Sequence, residues 1–242
     1  MIKLDVRIMA HPSRREGVLR ILNDLGMDES IVVYDDRPHG GNPFYTARKT
    51  WGFPLPSGAT HRLVLQDDAV LCKDFLQQVA RAIEHFPDAV WSLWMKELTP
   101  KHQKGSSPYV RISGGTVYGV GVVMPVHLID EVFKWSTFVL GEDYTHDDNA
   151  IGQYCKFHAI PIMTTIPGLI QHGAPTESIV NRTHNSPKKV SRVYQYDAPK
   201  DFDNTDYGFV RIVSKCFESN PVKESEAIRR AEIYKALRAS QC

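Results

Sequence analysis

Asp67 and Asp68 stand side by side in the run Leu63-Val64-Leu65-Gln66-Asp67-Asp68-Ala69-Val70-Leu71, with apolar residues on both sides. A charge taken out of water without a partner costs several kcal/mol. A strand that carries two acids to a buried end therefore needs a cation close by. Carboxylate oxygens are hard ligands and suit Mg2+ or Mn2+, with substrate phosphates completing the shell. A helix cap would account for one of the two acids and leave the other without a role. The chain has no GxxxxGK[ST] run and no GxGxxG after its first strand, and Gly119-Val120-Gly121 lies far downstream. A phosphate ligand would thus be held through metal and basic side chains rather than by a glycine-rich loop.

A second acidic stretch, Gly141-Glu142-Asp143-Tyr144-Thr145-His146-Asp147-Asp148-Asn149, ends where a helix is expected to begin at Asp148 and run to about His158. An Asp there can cap the helix or serve as a base within hydrogen-bond reach of a substrate hydroxyl. A third stretch, Pro167-Gly168-Leu169-Ile170-Gln171-His172-Gly173, reads as a loop leading out of the core and carries one histidine.

The elements that must position these residues follow from apolar periodicity. Leu4 to Met9, Ile31 to Tyr34, His61 to Leu65, Ala89 to Trp94 and Ile160 to Ile166 read as strands. Val18 to Leu25 and Phe75 to Phe86 read as helices, the first stopped by Gly26, and 45–51 as a short one. Tyr109 to Ile112 and Thr116 to Met124 read as two strands joined in a hairpin by Ser113-Gly114-Gly115. Val126 to Trp135 is the next helix. Residues 96–107 form a polar loop, and 174–220 show little periodicity and are expected to wrap the surface. A mixed-charge helix over 222–238 has Ile228, Ala231, Ile233, Tyr234 and Leu237 as its apolar side. The alternation implies an α/β fold with a mostly parallel central sheet and helices on both faces. Such sheets bind ligands beyond the carboxyl ends of their strands. The expected division is a catalytic domain over 1–180 and a C-terminal extension over 181–242.

The strand end around Gln66-Asp67-Asp68 resembles the DxD-type motif of GT-A glycosyltransferases, whose fold is Rossmann-like. The stretch from Gly141 to Gly152 resembles the second acidic motif of that fold, and Pro161 to Gly173 resembles its exit loop. The three occur in the family's order and span about residues 2–180. Gln66 is a departure, standing where the family usually has an acid. The resemblance implies a Mn2+- or Mg2+-dependent hexosyl- or pentosyltransferase that uses a nucleoside-diphosphate sugar, with a UDP sugar expected. Asp68 would ligate the metal and His172 would be its distal ligand. Asp67 and Gln66 would contact metal-bound water or the ribose. Asp148 would be the general base, with Asp147 as its rival and Glu142-Asp143 third. His11, Ser13 and Arg14, at the end of the first strand, would meet the nucleotide. Asp35 or Asp36 would receive a uracil or ribose contact, and Arg48 a phosphate. Gly114-Gly115 and Tyr118-Gly119 would let backbone approach the donor sugar.

Composition narrows the acceptor only partly. Net charge is +1, yet residues 181–242 hold 12 Lys/Arg against 8 Asp/Glu and the rest 17 against 20, so the tail is basic and the body acidic. Residues 182–196 interleave basic and aromatic side chains, including Lys188, Lys189, Arg192, Tyr194 and Tyr196. That composition suits phosphate contact with base stacking. A hydroxymethylated base in phage DNA is the expected acceptor, contacted by Lys188, Lys189, Arg192, Glu142 and Asp143. A bacterial envelope saccharide is the alternative. A non-catalytic nucleic-acid-binding protein and a nucleotidyltransferase are the competing classes. No apolar run approaches the roughly 20 residues of a membrane helix. The N-terminus reads as a strand rather than a leader, so the expected location is the cytoplasm of a bacterium or a phage-infected cell. Cys72, Cys155, Cys216 and Cys242 lack metal or disulfide spacing and read as free thiols. Asn181-Arg182-Thr183 is read as a chance sequon.

Overall fold

The structure, a computed structural model, describes residues 1–37, 43–96, 108–173, 191–197, 207–211 and 222–240, the last strand by its backbone alone. Strands are β1 (Leu4–Ala10), β2 (Val32–Tyr34), β3 (His61–Gln66), β4 (Ala69–Leu71), β5 (Val90–Ser92), β6 (Tyr109–Ser113), β7 (Gly121–Pro125), β8 (Ile162–Thr165), β9 (Ile170–His172) and β10 (Tyr207–Arg211). Helices are α1 (Arg15–Leu25), α2 (Pro43–Trp51), α3 (Phe75–His85), α4 (Val126–Leu140), α5 (Asp147–Phe157) and α6 (Glu224–Ala239).

Eight strands form one sheet in the order β10-β6-β8-β5-β7-β3-β1-β2, and β4 pairs with β9 in a separate two-stranded sheet. The large sheet is mixed. β1 runs parallel to β2 and β3, β5 to β8 and β6 to β10, whereas β7 is antiparallel to both β3 and β5, and β6 to β8.

Strand alternation divides the core into two layers, because successive side chains point to opposite faces. Leu63 and Leu65 of β3 pack with Ile8, Val18, Ile21, Phe75, Val79 and Ile83 on the face covered by α1 and α3. Val64, between them, joins Phe44, Trp51, Ile129, Val132, Trp135 and Ile151 on the face covered by α2, α4 and α5. All five residues from His61 to Leu65 are buried, as expected of a central strand covered on both sides.

The expected hairpin at Ser113-Gly114-Gly115 does not form. β6 and β7 are separated in the sheet by β8 and β5. Gly114 and Gly115 have φ of 98° and 77°, values glycine adopts without a Cβ clash, and they turn the chain away from β6. Residues 116–120 then cross to β7 without joining a strand. Two elements run longer or elsewhere than expected. α4 continues to Leu140, and the stretch expected to wrap the surface contributes β10, paired in parallel with β6. α6 buries only part of the expected side, Ala231 and Tyr234, and adds Ala227 to it. Ala227 and Ala231 are its buried residues, Tyr234 hydroxyl donates to Glu131 of α4, and Arg238 pairs with Glu131 at 2.8 Å. Ile228, Ile233 and Leu237 are exposed. The small alanine side chains, not the large aliphatic ones, face the interior.

No helix among the described residues is long and apolar enough to cross a membrane. Cys72 and Cys155 are buried free thiols, and burial pushes each up to about 12.

Candidate functional site

β1 and β3 are parallel neighbours in register from Leu4↔His61 to Met9↔Gln66, so their carboxyl ends lie together. The chain leaves β1 at His11, whose backbone N–H donates to Asp67 Oδ2 at 2.7 Å. A 3-10 turn follows, in which the Ser13 N–H donates to His11 Nδ1 at 3.2 Å. That turn brings Arg14 over the end of β3. One guanidinium nitrogen of Arg14 lies 2.9 Å from Asp67 Oδ1 and 3.0 Å from Asp68 Oδ2. α1 then docks on the same strand end through Gly17, where an added Cβ would lie 2.1 Å from the Asp67 carbonyl oxygen. Only a residue without a side chain permits that approach.

After Asp68 the chain enters β4, which is antiparallel to β9 with Ala69 opposite His172. The Gly173 N–H closes the register by donating to the Asp68 carbonyl at 2.7 Å. This small ladder holds His172 Nδ1 3.5 Å from Asp68 Oδ2. The His172 ring also meets Trp94 edge-on at 6.1 Å, and Trp94 meets Tyr118 at 4.9 Å.

The second acidic corner approaches from the other side of β3. The Gln66 N–H donates to the Val120 carbonyl, which sets the preceding residue, Gly119, beside Gln66. A Cβ on Gly119 would lie 3.0 Å from Gln66 Nε2, 3.4 Å from Asp148 Cβ and 3.7 Å from Asp148 Oδ2. Gln66 and Asp148 therefore flank the same glycine. Asp147 and Asp148 occupy the first turn of α5, where the helix dipole favours negative charge. Asp148 Oδ1 accepts from the Asn149 N–H at 2.7 Å. Asp147 faces inward. Burial first, and then the Asp148 charge, push its carboxyl up to about 7.

Electrostatically the β3 end is under-neutralised. Among the described residues two buried acids share one arginine. Burial raises the Asp67 carboxyl above the usual range even though His11 and Arg14 bond it. Asp68 Oδ1 is buried and has no hydrogen-bond partner among the described residues. A buried polar atom left unpaired is costly and uncommon. The donor set fits a divalent cation: a carboxylate oxygen without a partner and an imidazole nitrogen beside its twin. Among the described residues no three His, Cys, Asp or Glu side chains converge as a closed metal cage. Mg2+ and Mn2+ sites of this kind keep one or two protein ligands and take the rest from phosphate and water.

Other expected site residues lie apart from this cluster. Arg48 donates to Thr137 of α4 at 2.6 Å, stacks on Phe44 and lines a groove of about 280 Å³ with Lys134 and Ile129. Burial lowers its guanidinium below the ordinary value. Asp36 pairs with Lys49 at 2.9 Å on the surface, and Asp35 pairs with Arg37. Gly115 is buried against α5, and a Cβ there would lie 3.0 Å from the Gly152 carbonyl. Its role is to let the loop and helix touch. Glu142 and Asp143 are exposed. The Arg192 N–H donates to the Lys96 carbonyl. Lys188 and Lys189 lie outside the described residues.

Two residues of the site carry no motif. Gly17 acts through what it lacks, and Trp94 supports the His172 ring from just beyond the end of β5. A glycine near the start of an expected helix, where it weakens the helix, is the one sequence signal that points at Gly17.

No protein-family model matches the chain, and no curated protein sequence does. Among solved structures the chain is similar to a Drosophila beta-1,4-galactosyltransferase 7 mutant in complex with manganese, UDP-Gal and xylobiose. The identity is 10%, the match covers 91% of this chain and 98% of that one, and the TM-score is 0.45. It is also similar to the inositol-1-phosphate CTP transferase of T. maritima, at 13% identity, over 67% of this chain and 65% of that one, with a TM-score of 0.31.

Proposed function

We propose that this chain is a metal-dependent glycosyltransferase that moves a sugar from a nucleoside-diphosphate donor, UDP-linked in our reading, to an acceptor hydroxyl. One observation carries the proposal. The unpartnered Asp68 oxygen and His172 form an open cation site at the end of β3, and Asp148 stands across Gly119 from the same strand end. Asp68 and His172 would hold a cation for the diphosphate of a donor, and Asp148 would offer a carboxylate to the acceptor.

Asp68 and His172 hold the ion, which when bound would neutralise charge developing on the leaving diphosphate. Asp67 stays with the His11 N–H and fixes the strand end. The acceptor oxygen attacks the anomeric carbon as the bond to the diphosphate oxygen breaks, and Asp148 takes the acceptor proton. Asp148 is preferred to Asp147 because it is the one beside Gln66 and Gly119. The acceptor we favour is a hydroxymethylated base in DNA, on the basic and aromatic composition of residues 182–196. An envelope saccharide is the competing acceptor.

The test is turnover of a panel of UDP, GDP and CDP sugars with Mn2+, with binding followed by thermal shift, since ligands that bind the native state raise its apparent stability. One nucleotide should stabilise the protein only with metal, and Asp68→Ala should abolish donor hydrolysis and transfer. Undiminished activity in that variant would sink the proposal. Release of pyrophosphate from a nucleoside triphosphate would point instead to a nucleotidyltransferase. Salt-sensitive DNA binding that survives loss of Asp68 and Asp148, with no sugar turnover, would point to a binding protein.

A further inference from the structure

Arg14 occupies the place where charge balance asks for a metal ion. Its guanidinium nitrogen sits 2.9 Å from one buried acid and 3.0 Å from the other, and bonds the same Asp68 oxygen that faces His172. Among the described residues, two carboxylates with one arginine leave a net negative charge, and the second oxygen of Asp68 is unpaired. A divalent ion added to this arrangement would bring further positive charge within a few ångströms of the guanidinium. Like charges at such separations in a partly desolvated site repel strongly. The ion and Arg14 therefore compete for the Asp68 carboxylate.

We propose that Arg14 is a tethered stand-in cation that a metal ion displaces only when a nucleoside diphosphate arrives to receive the guanidinium. This rests on the donor-site reading above and deepens it. Without nucleotide, Arg14 offsets part of the charge on Asp67 and Asp68 and keeps metal affinity low. With nucleotide, the guanidinium transfers to diphosphate oxygens, which it can bond in a two-pronged fashion. Asp68 is then released to the ion. Arg14 ends the short 3-10 turn immediately before α1, so its side chain is carried by that turn and not by β3. Metal and nucleotide thus bind as a coupled pair, and by linkage each raises the affinity for the other by the same factor. Arg14 is a positioning residue for the ion, and it acts before any chemistry.

The experiment measures Mn2+ binding to the whole chain by the electron paramagnetic resonance signal of free Mn2+, with and without UDP. Wild type should bind Mn2+ weakly alone and much more tightly with UDP. Arg14→Met should bind Mn2+ alone at least about tenfold more tightly than wild type, because one positive charge has left the site. Its gain on adding UDP should be correspondingly smaller. Should Arg14→Met fail to fold, Arg14→Gln serves, since it also removes the charge while keeping a hydrogen-bond donor and should raise metal affinity in the same direction. Unchanged or weaker Mn2+ binding by the folded variant, with wild type binding Mn2+ in the presence of UDP, overturns the exchange alone. Wild type that binds no Mn2+ even with UDP overturns the donor-site reading on which the exchange rests.

Discussion

The two ends of the β1–β3 strand pair carry the same kinds of residue and treat them in opposite ways. At the amino ends Asp5 lies opposite Arg62 in register. It receives Arg62 at 2.6 Å and Arg7 at 2.9 Å, so one acid meets two arginines. Arg62 is fully buried and spends its remaining donors on the carbonyls of Thr50, Trp51 and Pro54. Neither Asp5 oxygen is left without a partner. At the carboxyl ends the count reverses among the described residues, with two acids to one arginine and an oxygen unpaired. The first cluster is closed and locks the loop after α2 onto the sheet. The second is open and has a charge to offer. The closed cluster is structural because every group in it is satisfied, and the open one is a candidate site because it is not.

The sharpest way to break this comparison is to remove one acid from each end. Asp5→Asn should cost about 3–5 kcal/mol of stability, since it strands a buried arginine without its counter-charge. A urea titration reads that loss directly, and activity per folded molecule should stay near wild type. Asp68→Asn should do the reverse. Sugar transfer should fall about 10²–10³-fold, the scale on which loss of one electrostatic contact to a reacting group is felt. Its stability should change by less than about 1 kcal/mol, because Arg14 keeps Asp67. If Asp68→Asn unfolds the protein and Asp5→Asn does not, the assignment of roles to the two ends is inverted.

The open end is visible in the sequence and the closed one is not, for a physical reason. Asp67 and Asp68 are adjacent, and their apolar flanks are local, so the strand and its unusual ending can be read from a single short run. Asp5 and Arg62 are 57 residues apart and meet only through strand register. Nothing near either one announces a buried charge. The same distinction explains the hairpin that does not form. Gly114 and Gly115 announce a turn, but which strands pair depends on β8 and β5, far along the chain, entering between β6 and β7. Only the family's motif order places His172 near the acids in the sequence, since its proximity to Asp68 depends on the β4–β9 ladder. The α6 face misleads because large aliphatic residues suggest burial, whereas a helix lying close on α4 needs alanine at the contact.

The second acidic corner offers a pH contrast with the first. The Asp147 carboxyl is pushed up to about 7 in the folded protein, chiefly by burial, against an ordinary value of 3.8. A folded-state value above the unfolded one means the native state holds its proton longer. The stabilisation this gives is complete below about pH 4 and is lost as pH rises through about 7. Asp147→Asn removes the titration. The variant should match wild type near pH 4 and exceed it at pH 8, by up to about 4 kcal/mol. Each tenfold change in proton affinity corresponds to about 1.4 kcal/mol, and the Asp148 charge shares the effect. Thermal melts across that range test it, and equal melting curves at pH 8 would remove Asp147 from the account.

The smallest effect concerns geometry rather than charge. Gly17→Ala should gain up to about 1 kcal/mol of helix propensity and lose more to the clash. Its Cβ would stand 2.1 Å from the Asp67 carbonyl oxygen, a backbone atom that cannot rotate aside. Overpacking of this kind costs about 1–3 kcal/mol, so a net loss of about 1–2 kcal/mol is expected. Because α1 must lift from the end of β3 to relieve the clash, Arg14 moves with it and the open cluster loosens. Transfer activity should therefore fall further than stability does. An alanine at Gly26, where φ is 63° but no atom lies within 4 Å, offers the control. It should cost stability through strain alone and leave activity per folded molecule intact. Equal losses of activity in both variants would show that α1 stabilises the fold without positioning the carboxylates.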